Sequence, residues 1–159
     1  SCGVMQGKKR SLNEGGIRVP MVVRWPNKIT PGSASGYPWY FPDVMPTLAE
    51  IGGVAKEMPN DVDGLSVLPT LLGKGEQKKH EYMYWQYGVR AARSGKWKGI
   101  GKGGHMYLYD LSKDRGEKND LSSKHPEITA KFKRYITIGY SEPRSQMDDG
   151  KYTGKSNKK

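Results

Sequence analysis

Apolar residues in this chain are grouped into short segments that are separated by long polar stretches. Residues 17–25, IRVPMVVRW, are mostly apolar and β-branched, which predicts a strand. Because proline cannot donate a ladder hydrogen bond, Pro20 places this strand near a sheet edge or at a bulge. Two later segments, DVMPTLAEIGG and SVLPTLLG, each predict a short helix. In each, an N-cap residue (Asp43 or Ser66) stands three positions before a proline, and glycine follows the last apolar residue.

The pattern changes after Gly73, where the polar stretch GKGEQKKHE indicates a domain boundary. Four short segments rich in aromatic or β-branched residues follow, YMYWQY, VRAAR, KWKGI and MYLYDL, and they predict a small antiparallel four-stranded sheet. Ile128, Phe132, Tyr135 and Ile136 then recur at helical spacing and predict a helix whose apolar stripe packs on that sheet. The predicted fold class is therefore α+β.

These patterns divide the chain into three predicted regions. Residues 1–73 contain one strand and short helices, and residues 80–140 form a small α+β subdomain with the sheet and the helix. Residues 141–159 are polar, basic and nearly free of aliphatic side chains, which predicts disorder.

The net charge of the 159-residue chain is +11, which favours polyanionic partners. The excess of lysine and arginine is spread along the chain, so a solvated, nonspecific basic surface is preferred to a dedicated polyanion site. No specific nucleic-acid partner is predicted. No apolar run approaches the roughly 18 residues that a membrane span needs, so no membrane partner is predicted either.

A search for known chemical motifs excludes several sites. With the single cysteine, Cys2, no intrachain disulfide is possible, and His80, His105 and His125 lack metal-ligand spacing, so this chain alone predicts no metal site. Residues 99–104, GIGKGG, match G-x-G-x-x-G, but a strand rather than a helix follows, which favours a hairpin loop. The acidic residues of SKDRGEKND are predicted to serve turns and surface loops.

The opening stretch KRSLNEGGIRVPMVVRWPNKITPG resembles the sulfatase family of the alkaline-phosphatase-like superfamily, whose members have G-K-x-x-x-x-E-G-G-[IV]-R-V-P before an apolar strand and W-P. The resemblance continues in order through DVMPTLAEIGGV, DGLSVLPTLLG, VRAARSGKWKGI and LYDLSKDRGEKNDLSSKHPE, and it covers residues 1–127. The sequence departs from the family pattern at Gly99, where a larger apolar residue is usual, and at Arg115, where proline is usual.

The resemblance implies that the chain is the C-terminal portion of a longer enzyme. Residues 1–73 are then the last strand and short helices of an alkaline-phosphatase-like α/β catalytic domain, and the missing N-terminal catalytic portion is the main partner. The parent is expected to hydrolyse sulfate esters of small molecules or carbohydrates, to use calcium and a formylglycine nucleophile, and to be secreted or periplasmic. Self-association through the exposed strand at residues 17–25 is a further expectation.

One active-site residue of the family has a counterpart in this chain. Lys9, five positions before Glu14, matches the lysine that contacts the sulfate in the intact enzyme. The formylglycine precursor C-x-P-x-R has no counterpart, because Cys2 begins CGVMQ and Ser141 begins SEPRS. The calcium ligands and catalytic histidines are likewise unmatched. The isolated chain is therefore expected to hold no cofactor and to be inactive.

Two other functions are compatible with the same sequence. One is a noncatalytic basic module that binds sulfated polysaccharide or another polyanion. The weaker one is part of a related phosphatase or phosphonate hydrolase, since that superfamily shares the scaffold. A C-x-P-x-R motif in frame upstream in the gene would favour the sulfatase reading over the binding module.

Overall fold

The computed structural model describes residues 3–141 and the backbone of two short strands beyond them. In chain order the elements are α1 (Glu14–Ile17), α2 (Val44–Ile51), α3 (Leu68–Leu72), β1 (Met83–Tyr87), β2 (Val89–Ser94), β3 (Trp97–Lys102), β4 (His105–Asp110), α4 (Pro126–Ile138), β5 (Met147–Asp148) and β6 (Lys151–Tyr152). They belong to two compact units, one made of Ser1–Val19 and Tyr82–Lys159, the other of Pro20–Glu81. The domain boundaries at residues 73 and 80 stay a prediction.

The first unit is built on the predicted four-stranded sheet, which is an antiparallel meander in the order β1-β2-β3-β4. Lys102 pairs with His105 across a two-residue turn, Gly103–Gly104, in which both residues have positive φ. That backbone matches the right-handed twist of a hairpin and is open to glycine at little steric cost. The GIGKGG stretch is therefore a hairpin, as predicted.

One face of this sheet is covered by α4. Ile128, Phe132, Tyr135 and Ile136 of the predicted stripe pack against a core that includes Leu108 and also Ala92 and Met106. The helix is confirmed, although it begins at Pro126, where the missing N–H of proline costs no helical hydrogen bond.

The opposite face of the sheet is covered by the N-terminal segment. Leu12 is buried there with Ala91, Ile100 and Tyr109, and Ile17 of α1 packs against the same cluster. Adjacent residues of β2 are consequently both buried, with Ala91 and Ala92 at 0% exposure, because the strand has a covered surface on each side.

The second unit contains the two proline-containing helices. Gly73 ends α3 in the left-handed conformation (φ 62°), as predicted for a glycine after the last helical turn. The N-cap of α3 is Val67 and not Ser66. Asp43 is the N-cap residue of α2, as predicted, but its side chain makes no cap hydrogen bond there. Its buried carboxylate instead accepts hydrogen bonds from the N–H groups of Tyr40 (3.1 Å) and Leu65 (2.8 Å), and it lies 2.7 Å from His80 Nε2.

The predicted strand over residues 17–25 is not formed. Ile17 closes α1, and residues 18–25 run without strand pairing. A strand needs a neighbour to complete its backbone hydrogen bonds, and no other segment of the described residues pairs with this one. Its apolar side chains remain in solvent, with Val19 at 81% and Val22 at 92% exposure.

The C-terminal tail and the first two residues fall largely outside the described part. Of the tail predicted to be disordered, β5 and β6 pair with each other, while residues 142–146, 149–150 and 153–159 lie outside it, as do Ser1 and Cys2. Among the described residues, no helix is both long and apolar enough to cross a bilayer.

Gly99 in β3 and Phe132 in α4 are complementary in shape. A Cβ built at Gly99 would lie 2.6–2.9 Å from three atoms of the Phe132 side chain, whose exposure is 1%. The phenyl ring of Phe132 therefore occupies the space that a larger side chain at position 99 would fill. We predict that Gly99→Ala lowers the free energy of unfolding by about 1–3 kcal/mol through overpacking, and Phe132→Ala by about 3–5 kcal/mol.

The double variant tests this explanation by urea denaturation. Because the new methyl group enters space that the ring has left, the combined loss should be smaller than the sum of the single losses by more than about 0.5 kcal/mol. Gly36→Ala is the control, since no atom lies within 4 Å of its Cβ position. Additive losses would show that the two residues do not share this space.

Candidate functional site

A buried cluster of charged side chains joins the N-terminal segment to the sheet. Lys98 of β3 has no exposed surface, and its Nζ lies 3.0 Å from Glu14 Oε1 and 2.9 Å from Glu117 Oε1. The contact with Glu14 is a hydrogen bond, whereas Glu117 Oε1 is in ionic contact without hydrogen-bond alignment. A buried ammonium group needs such partners because desolvation of an unpaired charge costs several kcal/mol.

Two arginines complete the surroundings of Glu14. Arg18 Nε donates a hydrogen bond of 2.6 Å to Glu14 Oε2, and Arg93 Nη1 lies 3.7 Å from the same oxygen. Burial alone would raise the pKa of Glu14, but Lys98 and Arg18 outweigh it and hold that pKa below its ordinary value. Glu14 is therefore a carboxylate held by three cations.

Glu117 reaches the cluster from the loop that follows β4. It has a left-handed backbone (φ 51°), which is unusual for a residue other than glycine or asparagine. Its Oε2 accepts a 2.6 Å hydrogen bond from the backbone N–H of Glu14 at the start of α1. The strained backbone thus coincides with a buried carboxylate that binds both Lys98 and the N-terminal segment.

The sequence predicted only part of this buried charged cluster. The prediction that Glu117 serves a surface loop is wrong, because its side chain is buried. Asp114 of the same stretch does accept turn hydrogen bonds, from the N–H groups of Lys118 and Asn119 at 2.8 Å. The available signal was Lys98 itself, a lysine between the apolar positions Trp97 and Ile100 of a predicted strand.

Lys9, the predicted site residue, lies on a turn beside this cluster in the chain. The Ser11 N–H donates to the Lys8 carbonyl (2.9 Å), and Arg10 has a positive φ of 72°. Lys8, Lys9 and Arg10 are all exposed, so Lys9 is accessible from solvent. The three cations lie in a turn, and the alternation of faces that holds in an extended strand does not apply to them.

The lack of a side chain at Gly16 allows this turn to pack closely against α1. A Cβ at Gly16 would lie 2.1 Å from the Ser11 carbonyl oxygen and 2.7 Å from that of Lys8. Gly15 adds a backbone hydrogen bond of 2.7 Å from its N–H to the Gln6 carbonyl. The Glu-Gly-Gly sequence therefore combines one buried anion with close packing of backbone against the turn that holds Lys9.

The histidines do not form a metal centre or a hydrolytic triad. In the described ranges, no three His, Cys, Asp or Glu side chains lie close enough together to hold a metal ion. His105 Nε2 lies 2.9 Å from Asp120 Oδ2 and 3.4 Å from Ser122 Oγ. Because both groups contact the same ring nitrogen, the imidazole cannot relay a proton between them.

The Asp43–His80 pair in the second unit is a structural contact. His80 is in edge contact with the Tyr40 ring, with ring centroids 5.1 Å apart, and the Asp43 carboxylate also accepts from two backbone N–H groups. All of these contacts fix neighbouring segments of chain, and they leave no open position for a reacting group at the carboxylate.

The architecture of the first unit, a four-stranded antiparallel meander with a helix on one face, defines an α+β C-terminal domain. The family model described as N-sulphoglucosamine sulphohydrolase, C-terminal, matches residues 6–138. The chain belongs to this family of sulfatase C-terminal domains.

Known sulfatases are similar to this chain in sequence. N-acetylgalactosamine-6-O-sulfatase of Bacteroides thetaiotaomicron is 31% identical over 154 residues, which cover 84% of this chain and 29% of the relative. Steryl-sulfatase of Mus musculus is 40% identical over 86 residues, which cover 53% of this chain and 14% of the relative. The chain thus spans less than a third of the length of either relative.

Solved structures share the fold. A Bacteroides thetaiotaomicron protein, whose description concerns the metabolism of multiple glycosaminoglycans, matches with a TM-score of 0.71 and 30% identity over 86% of this chain and 32% of its own. The phosphonate monoester hydrolase SpPMH from Silicibacter pomeroyi matches with a TM-score of 0.56 and 22% identity over 73% of this chain and 27% of its own. The second likeness establishes a shared fold alone.

The buried cluster leads to a prediction about Lys98. Lys98→Met should lower the free energy of unfolding of the full chain by about 3–5 kcal/mol, because Glu14 and Glu117 would stay buried as anions without their shared cation. Urea denaturation followed by circular dichroism measures the loss.

Lys96→Met is the matched control. Lys96 pairs with Asp110 at 2.9 Å, but its side chain is 50% exposed, so its loss should cost no more than about 1 kcal/mol. Similar small losses for both lysines would show that burial of the Lys98 charge does not matter for stability.

Proposed function

We propose that this chain is the C-terminal portion of a sulfatase whose intact form hydrolyses sulfate esters. The observation that carries the proposal is the match to the sulfatase C-terminal family over residues 6–138. In this proposal residues 1–73 complete the catalytic domain, and residues 80–140 form a small C-terminal subdomain.

Exposed apolar side chains support a missing partner portion. Val22 and Phe41 are 92% and 87% exposed, and Met45, Leu48 and Ile51 of α2 also face solvent. Patches of this kind on a soluble protein mark surfaces that another protein part covers. We assign them to contacts with the N-terminal catalytic portion, with self-association through residues 17–25 as the alternative.

The sequence motif and the metal-ligating groups that the cofactors implied by the family resemblance require are not found in the described part of this chain. Cys2 lacks the proline and arginine of C-x-P-x-R, and the described residues hold no group of acidic or histidine side chains suited to calcium. Formylglycine and calcium would therefore belong to the N-terminal catalytic portion, and no chemical step through them is assigned to this chain.

The contribution proposed for this chain is the charge of Lys9. Its ammonium group would contact a sulfate oxygen and oppose the negative charge that develops on the leaving oxygen. The support is structural: Lys9 lies exposed on a turn that packs on Gly16, next to the α1 segment anchored by Glu14. Lys9 would then be presented on a rigid support, which is what a positioned charge requires.

The relatives narrow the substrate class proposed for the intact enzyme only in part. One similar protein is an N-acetylgalactosamine-6-O-sulfatase and another is a steryl-sulfatase, so both a sulfated carbohydrate and a sulfated small molecule fit the proposal. Secretion or periplasmic location is proposed on the family resemblance.

The first test is an activity assay of the 159-residue chain. Because the sequence has no C-x-P-x-R motif and the described residues hold no group of metal-ligating side chains, we predict no hydrolysis of an aryl sulfate, with or without calcium. Turnover above the buffer blank by protein free of contaminating enzyme would overturn the division of labour proposed here.

The second test concerns Lys9 in the intact parent enzyme. Lys9→Ala should lower turnover by on the order of 10²–10³, as for the loss of one positioned stabiliser of transition-state charge. The fold should remain intact, because Lys9 makes no buried contact. Steady-state kinetics with an aryl sulfate measures the effect.

Two cations of the same turn are the controls. Lys8→Ala removes a neighbouring charge, and Arg10→Gly removes another while relieving the positive φ at that position. Both should keep turnover within a few-fold of the parent. Equal, modest and salt-sensitive losses at all three positions would remove Lys9 from the site and indicate a general basic patch.

A further inference from the structure

A second site is indicated on the α4 face of the sheet, at the end where two hairpins turn. The Gly88 turn between β1 and β2 and the Gly103–Gly104 turn between β3 and β4 lie at the same end of the meander. Together with the last turns of α4 they line an open groove of about 580 Å³. That volume lies in the range of known ligand pockets, about 300–1,000 Å³.

Glycine residues lie at the edges of the groove. A Cβ built at Gly88, Gly103 or Gly104 would meet no atom within 4 Å. Gly101 lies lower, where a Cβ would be 2.6 Å from Ile136 of α4, so the helix is packed onto the backbone at that point.

The charge of the groove is positive. Arg90, Lys102 and Lys133 line it together with His105, and none of the described residues that line it is acidic. The nearest anion to His105, Asp120, is occupied by the Leu108 N–H (3.0 Å) and by His105 itself (2.9 Å).

Arg90 is the most firmly held of these cations. It lies in β2 opposite Gly101, and its guanidinium carbon is 3.8 Å from the centroid of the Tyr140 ring. A cation fixed on an aromatic face loses little side-chain freedom when it also binds an anion. The groove therefore combines one cation held on an aromatic ring with two exposed ones, Lys102 and Lys133.

We propose that this groove binds an oligosaccharide that bears several sulfate groups. Three separate cations suit a ligand with several anionic groups on one chain, and the exposed glycine backbone allows close approach of sugar rings. A nucleic acid fits less well, since single strands are usually bound on exposed aromatic rings, and the lining found in the described part of the chain includes no Phe, Tyr or Trp. The inference goes beyond the proposed function and does not rest on it.

The test is a titration of the isotope-labelled full chain, followed by NMR at low and at physiological salt. The probe is a heparin tetrasaccharide, with sodium sulfate at matched ionic strength, a hyaluronan tetrasaccharide and a single-stranded oligonucleotide as comparisons. The heparin tetrasaccharide should shift the amide signals of Gly88, Gly103 and Gly104 in a saturable way, and hyaluronan, which has carboxylates alone, should bind more weakly.

Two double variants that each lose two positive charges distinguish a binding site in the groove from diffuse electrostatic attraction to the whole surface. Lys102→Ala with Lys133→Ala removes two groove cations and should weaken binding about tenfold. Lys113→Ala with Arg134→Ala removes two exposed cations outside the groove and should change affinity less than about twofold. The NMR spectrum of each variant verifies its fold.

Three results would overturn the proposal. They are equal losses in the two double variants, the absence of shifts at the three glycines, and tighter binding of the oligonucleotide than of the heparin tetrasaccharide through the same residues. The first would assign all binding to diffuse charge, and the last would make the groove a nucleic-acid site.

Discussion

The first unit depends on the burial of one ammonium group. Lys98 lies wholly inside the protein, where its charge is tolerable only with Glu14 and Glu117 beside it. These carboxylates come from separate parts of the unit: Glu14 lies 84 residues before Lys98 along the chain, and Glu117 lies in the loop between β4 and α4. Folding of the sheet, the loop after β4 and the N-terminal segment is therefore coupled, since each supplies a charge that the others need.

The charged side chains of the buried cluster, the Lys9 turn and the groove fall into two groups. The cluster around Glu14 is closed, because its cations and anions satisfy each other and hold α1 on the sheet. Lys9, Lys102 and Lys133 are open to solvent, whereas Arg90 of the groove is half-buried and lies on the Tyr140 ring. A net charge of +11 is thus compatible with a rigid core, since most of the excess lies where a ligand or solvent can reach it.

The comparisons limit what the fold says about activity. A phosphonate monoester hydrolase shares this architecture at 22% identity, so the meander and its helix do not by themselves distinguish sulfate from phosphonate chemistry. The family match points to sulfatases, and within that family the substrate depends on side chains at the site. Lys9 and the groove at Gly88 are the places where we propose that this chain contacts a ligand.

The sequence by itself determined the elements whose signals are local. The four strands, the stripe of α4 from Ile128 to Ile136, the hairpin at GIGKGG and the glycine that ends α3 follow from periodicity and turn chemistry, and the ordered motifs identified the family. Only the tertiary structure decided the rest. Residues 17–25 have strand composition but no partner to pair with, Asp43 binds segments distant in sequence, and Glu117 is buried although its neighbours belong to a surface loop. In each case the outcome depends on contacts between residues far apart in the chain, which a local pattern does not contain.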